Sequence, residues 1–524
     1  MHLSQPFQRL AVLLAVAALA AGPGRADAQR TRPVAVPRAT VRVSQACTAT
    51  PGELPEIRST GGVLRDSLTM APHAYRLGGQ RVVSNVYNGS YNAPTLRVDL
   101  GERVELTINN RMRAVGGLEP SQVDTTNQHY HGLVVTPIPP QGDNVNRVAI
   151  GRDSFNVNRY PLLPREMNVQ SEGLMWYHPH PHGNTLPQVA GGLAGAMVVG
   201  NLLDHFPDYR GATERILVIK GSDGGFTPTL NINGVECPRL TLSASGPELW
   251  RILNATGNVF LNLKLRGYTF TVLAFDGNPI TPPIQQDSLF IPPGGRAEVI
   301  VRGGMGPWST ALLSAPFLGT LQDDTIKIAD VRIVGLSDQT HEEVQAQAVA
   351  ARSRVDTELA DSILRLATAT DVDRFSLRFS FDSADTLLLL NDSVYRPGRL
   401  DHAVQVGRVQ EWTLINETDF HHTFHIHQTD FLITSINGRD VEAKSVFFDN
   451  VTLGVHKDAA GKVVGDTVTV RFTFNPVAAG PFVYHCHVLF HEDHGMMQNI
   501  CVYPQNADKS YCAQWFPGAG GHVH

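Results

Sequence analysis

A short pattern recurs three times along this 524-residue chain. Gly101-Glu-Arg-Val-Glu-Leu-Thr-Ile-Asn109 returns as Gly246-Pro-Glu-Leu-Trp-Arg-Ile-Leu-Asn254. It returns again, one residue longer, as Gly407-Arg-Val-Gln-Glu-Trp-Thr-Leu-Ile-Asn416. In the first copy Val104, Leu106 and Ile108 alternate with polar residues, the period of a half-buried strand. Val468, Val470, Phe472 and Phe474 alternate in the same way. Gly and Pro punctuate the gaps between such runs. The chain therefore reads as all-β, built from three copies of one antiparallel sandwich. Its length agrees, since roughly 150 residues make a domain. A second echo joins only the outer thirds: Gly173-Leu-Met-Trp-Tyr-His178 matches Gly480-Pro-Phe-Val-Tyr-His485. One stretch breaks the pattern. Residues 339–366 are rich in Ala, Glu, Arg and Gln and are predicted helical, either a polar linker or a lid near a substrate site.

The outer thirds hold the chemistry. Residues 485–496 read His-Cys-His-Val-Leu-Phe-His-Glu-Asp-His-Gly-Met. The aromatic, β-branched run before them predicts a strand, and side chains alternate faces along a strand. His485 and His487 then point one way and Cys486 the other. A thiolate, imidazoles and a distant thioether form the ligand set of a blue-copper electron-transfer site, here Cys486, His491 and Met496. The missing imidazole is offered by His422-Thr-Phe-His425-Ile-His427. There His425 and His427 share a face and His422 takes the other. Two further pairs lie upstream, His129-Tyr-His131-Gly132 and His178-Pro-His180.

A single His-x-His pair is weak evidence, because 21 His in 524 residues produce about one by chance. Six occur, at 129/131, 178/180, 180/182, 425/427, 485/487 and 522/524. Any one alone reads as a surface or core pair. Four of them together with Cys486, His491 and Met496 do not.

This combination resembles the multicopper oxidase family, and among its members the three-domain bacterial laccases and bilirubin-oxidase-like proteins. The family signatures His-x-His-Gly, His-x-His, His-Pro-x-His-x-His and His-Cys-His-x3-His-x4-Met appear in the family order. Thr423 stands where the third signature has Pro, at a position expected to touch no ligand. His421 precedes His422, but the spacing to His425 and His427 favours His422. The resemblance implies three cupredoxin-like domains with a short helical linker between the second and third. The boundaries are expected at 29–203, 204–338 and 367–524, with the linker at 339–366. It also implies four copper ions. His422, Cys486, His491 and Met496 would hold the type 1 copper, and His129 and His425 the type 2. His131, His178, His180, His427, His485 and His487 would hold the type 3 pair.

The physics agrees with such a division. Reducing O2 to water takes four electrons and four protons, and a site fed one electron at a time must pass them to a second centre. Glu492 and Asp143 are candidate proton-relay acids. Met at the axial position implies a low-to-medium potential. The expected reaction is one-electron oxidation of phenols or aromatic amines coupled to O2 reduction. The alternative is a metallo-oxidase acting on Cu(I) or Fe(II). The nine scattered Met weigh against the cuprous version, which usually comes with Met-rich segments. A copper store without chemistry is a third reading, disfavoured because no expected ligand is missing. His182, His494 and the pair His522/His524 fit no ligand slot.

The first 28 residues read as a signal peptide: an apolar run from Leu10 to Ala21, then Ala26-Asp-Ala28 as a cleavage site. The mature protein is expected to be exported, periplasmic or secreted, soluble and monomeric. The formal net charge of −6 argues against nucleic acid or an anionic membrane as partner. The partners expected are O2 and a small reducing substrate. With Cys486 committed, Cys47, Cys237, Cys501 and Cys512 form an even remainder suited to two disulfides, with three possible connectivities.

Overall fold

The computed structural model describes residues 47 to 517, apart from 48, 165–166, 168–169, 222–228, 305–308, 315–325, most of 336–356, 385 and 442–445. The signal-peptide segment and the pair His522/His524 lie outside the described residues.

The three echoes become three equivalent strands, Arg103–Asn110, Glu248–Asn254 and Gln410–Asn416. Each lies in the same setting. It runs parallel to a strand before it (Val63–Leu77, Thr213–Gly221, Asp373–Asp382) and antiparallel to one after it (Phe155–Pro161, Arg296–Val301, Thr467–Phe472). The structure moves one residue of the echo. The equivalent of Asn254 and Asn416 is Asn110, not Asn109, because all three are buried at the strand end. Each carboxamide oxygen accepts a backbone N–H two residues on, from Met112, Thr256 and Thr418. A buried amide that caps its own turn is a fixed cost of leaving the sheet here.

Each such sheet packs on a second sheet, giving three cupredoxin-like sandwiches with separate cores. The first core gathers Leu64, Leu106 and Tyr130, the second Trp250, Val299 and Leu312, the third Trp412, Val470 and Phe482. Burying each aliphatic side chain contributes about 1.5–3 kcal/mol. The second sheets of the first and third sandwiches position the site. Strand His129–His131 pairs antiparallel with Gly173–His178, placing His129 opposite His178. Strand His422–Ile426 pairs antiparallel with Gly480–Cys486, placing His425 opposite His485. The second echo is thus a repeated register, not only a repeated composition.

The helix of the predicted linker spans Thr357–Thr368, two residues past the expected end; most of 339–356 lies outside the described residues. The helix is tied to the third sandwich by Arg471, whose guanidinium donates to the carbonyls of Leu366, Ala367 and Ala369. Cys47 pairs with Cys237 and Cys501 with Cys512, which resolves the connectivity left open above. No helix among the described residues is long and apolar enough to cross a membrane.

Candidate metal centre

Alternation along the strands sorts the side chains as expected. Tyr130, Phe424, Ile426 and Tyr484 enter the cores of their own sandwiches. Their neighbours His129, His131, His425, His427 and His485 point the other way, into the space between the first and third sandwiches. His178, His180 and His487 complete the cluster, and all eight rings are buried. His129 stacks on His427 and His131 on His425, each at 3.8 Å between ring centroids. His131 and His487 lie 4.9 Å apart. The Nε2 atoms of His180 and His427 approach that of His485 to 3.0 and 3.3 Å.

Neutral imidazoles facing one another lone pair to lone pair repel unless a cation stands between them. Protonation cannot relieve this cheaply. Burial and the neighbouring rings hold His129, His131, His178, His425, His427 and His487 well below the ordinary imidazole range, and burial holds His180 and His485 at about 4. Three of the outward nitrogens are anchored. Nδ1 of His129 meets the Asp143 carboxylate at 3.0 Å, and Nδ1 of His425 donates to the Asp449 carbonyl at 2.7 Å. Nδ1 of His178 donates to the Pro179 carbonyl at 2.9 Å. The inward nitrogens have no hydrogen-bond partner: Nε2 of His129, His178 and His425, Nδ1 of His131, and both of His487. His129, His178 and His425 are thus anchored outside and orphaned inside, as metal-ligating imidazoles are held, and the set fits borderline cations such as copper.

The second centre lies inside the third sandwich. Cys486 Sγ is 3.6 Å from Nδ1 of His422 and 3.5 Å from Nδ1 of His491. Met496 is buried in the same core as Cys486. Its carbonyl accepts from the Cys486 N–H and its N–H donates to the His491 carbonyl, both at 3.0 Å. Burial pushes the Cys486 thiol up to about 12, so only a metal would hold it as thiolate. His422 is oriented from behind by Thr418, whose Oγ lies 2.9 Å from Nε2 and is itself held by the buried Asn416. The echo asparagine of the third sandwich thus supports this site.

Of the two candidate acids, Asp143 is buried against His129, and burial raises its carboxyl. Glu492 stands between the centres. It lies on the short helix Leu489–Asp493, accepts from the Thr185 hydroxyl at 2.8 Å, and approaches Nδ1 of His180 and His485 at 3.3 and 3.2 Å. Burial raises it too. No converging donor group among the described residues includes His182 or His494.

Two residues escaped the sequence reading. Asp449 accepts from Arg296 through both oxygens at 2.7 Å and lies 3.3 Å from Nε2 of His131. Arg296 comes from the middle sandwich, as does Gly294. A Cβ at Gly294 would stand 2.7 Å from the His487 ring, and its φ of +80° suits glycine. The middle copy, without His pairs, therefore still shapes the cluster. No motif flags an Arg or an Asp this far from the ligands in sequence.

The chain is also similar to known proteins. The multicopper oxidase profiles match residues 176–307 and 364–506, together just over half of the chain. The multicopper oxidase of Staphylococcus aureus is 24% identical over 444 residues, 79% of this chain and 83% of that protein. The cell division protein FtsP of Edwardsiella tarda is 26% identical over 391 residues, 69% and 75%. The structure of a Campylobacter jejuni multicopper oxidase, described as a metallo-oxidase, superposes with a TM-score of 0.69. It has 23% identity and covers 90% of this chain and 98% of its own. The chain belongs to the multicopper oxidase family. Membership carries copper binding and an oxidoreductase reaction that uses O2 and a reducing substrate.

Proposed function

We propose that the protein is an exported, laccase-like oxidase that takes single electrons from phenols or aromatic amines and reduces O2 to water. His422, Cys486, His491 and Met496 would hold a type 1 copper. His129 and His425 would hold a type 2 copper. His131, His178 and His487 would hold one type 3 copper, and His180, His427 and His485 the other. When bound, these ions would supply one-electron acceptance at the cysteine site and multi-electron O2 reduction at the histidine cluster. The observation that carries the reading is strand Gly480–Cys486 and its continuation. Cys486 faces one centre, while its covalent neighbours His485 and His487 face the other. Electrons would therefore cross between centres through a few bonds of one strand.

The remaining side chains divide the work. Asp143 would orient His129, and Glu492 would orient His180 and His485, each placed to hand on a proton. Phe420 and Phe490 lie 5.3 and 6.3 Å from the largely buried His491 ring, and Phe381, 45% exposed, packs against Phe420. This apolar aromatic rim suits a flat aromatic donor by stacking. The two disulfides suit an oxidising compartment.

The metallo-oxidase reading keeps one observation: Glu417 and Asp419 are exposed on the loop that carries Phe420, where a cation could approach. O2 uptake by the copper-loaded protein, with a methoxyphenol, Fe(II) and Cu(I) in parallel, separates the readings. Fast uptake with the phenol alone supports the laccase. Preference for either ion supports metal oxidation, and a blue protein that takes up no O2 with any donor refutes both.

A further inference from the structure

A large cavity lies beside the histidine cluster. About 590 Å³ of space lies where the three sandwiches meet, walled by Glu172, His205, Asn278 and Phe474 and roofed by the helix Thr357–Thr368 through Arg365 and Leu366. This places the helix on the cluster side of the molecule, and neither His491 nor Phe420 lines the cavity. A second cavity of about 10 Å³, room for about one water, touches His129, His425 and His427 directly. Val134, Gln428, Thr429 and Asp430 line both. Asp430 is the one ionisable side chain shared between them among the described residues.

Asp430 differs from the other two acids. Asp143 and Glu492 engage ring nitrogens and line neither cavity. They can pass protons but must be refilled. Asp430 is half-buried and accepts from the Ser171 hydroxyl at 3.2 Å. Arg296, Asp276 and Asp449 act on it from the protein side. Glu172, His205 and Arg365 are the charged or titratable groups that share the large cavity with it.

We propose that Asp430 is the proton-uptake residue of the histidine cluster, refilled from solvent in the large cavity and discharging through the small one. The proposal rests on the reading that the cluster reduces O2. Each O2 takes four electrons, supplied by the donor through Cys486, and four protons, and leaves as two waters. For each proton delivered, the Asp430 O–H bond would break as an O–H bond forms on a water in the small cavity, and that water would release another of its protons towards the histidine cluster. A proton from solvent then restores the acid. Burial lifts Asp430 to about 6, with Arg296 pulling it down and Asp276 pushing it up. A carboxyl there both gives and takes protons near neutral pH.

The test is Asp430→Asn in the copper-loaded protein. Expected are unchanged blue absorption, unchanged anaerobic reduction of the cysteine site by the donor, and O2 turnover reduced about 100-fold. The inflection of the pH–rate profile near 6 should vanish, and Asp430→Glu should restore much of both. Infrared difference spectra of the metal-free protein should show a carboxyl band titrating near pH 6 in the parent and missing from Asp430→Asn. Wild-type turnover and an unmoved inflection in Asp430→Asn would overturn the proposal. Should that variant fail to take up copper, Leu366→Trp narrows the cavity without touching the cluster. Slowed reoxidation by O2 with normal donor reduction would then support the proposal, and unchanged reoxidation would overturn it. A parent enzyme that consumes no O2 at all would instead refute the functional reading, and this inference with it.

Discussion

Arg296→Met tests whether the middle sandwich holds the metal cluster in shape. The guanidinium is fully buried. It makes two 2.7 Å bonds to Asp449 and lies 3.3 Å from Asp276, and it donates to the carbonyls of Leu174, Asp276 and Gly294. Two carboxylates hold it cationic, while burial pushes both carboxyls up and Arg296 opposes that shift. Methionine keeps much of the stem and removes the charge. Breaking a buried pair from one side costs about 3–5 kcal/mol, because the partner is left uncompensated. Adding Asp449→Asn removes that orphaned charge. The double variant should therefore be less destabilised than the sum of the singles, by about 2 kcal/mol. Denaturant unfolding of the metal-free proteins measures this without the stabilisation that bound ions add. Two spectroscopic probes are needed, since a three-domain chain need not unfold in one step. A cost below about 1 kcal/mol for Arg296→Met, or strict additivity in the cycle, would refute the reasoning.

Three further outcomes are expected. Met496→Leu should raise the potential of the cysteine site, as loss of a weak thioether donor does; redox titration of the blue band with an unchanged potential would remove Met496 from the ligand set. Because His180 and His485 titrate at about 4 when folded against 6.5 when unfolded, the unfolded chain binds more protons between those values. The share of stability carried by these two rings in the metal-free protein should thus be full above pH 6.5 and lost as pH falls through about 4, opposite in sign to the share of raised acids such as Asp430; a His180→Gln, His485→Gln double variant whose stability follows pH as the parent's does would contradict the burial argument. Replacing Cys501 and Cys512 together by Ser opens a loop with a sequence separation of 11 and should cost about 3 kcal/mol, against no measurable change in unfolding midpoint if the bridge were ornamental.

The proposed ligands were legible as converging side chains because strand parity turns spacing into direction. His-x-His puts both rings on one face, and His-Cys-His puts the thiol on the other, whatever the rest of the fold does. The three echoes were legible for a similar reason: an alternating run ending in a buried Asn carries its own turn. The off-by-one at Asn109 shows the limit, since two adjacent asparagines look alike until burial selects Asn110. Arg296 and Asp449 were not legible, because their partnership is made by domain docking and leaves no periodic trace. The same holds for the disulfide pairing, and for Asp430, which lines both cavities.

The split of the eight rings between strands near the start and near the end of the chain sets an assembly order. His129, His131, His178 and His180 leave the ribosome long before His425, His427, His485 and His487. A chain shortened by a few dozen residues at its C-terminus could complete two sandwiches and still be unable to build either metal centre. Neither set of converging side chains can therefore be complete before the C-terminal strands are in place.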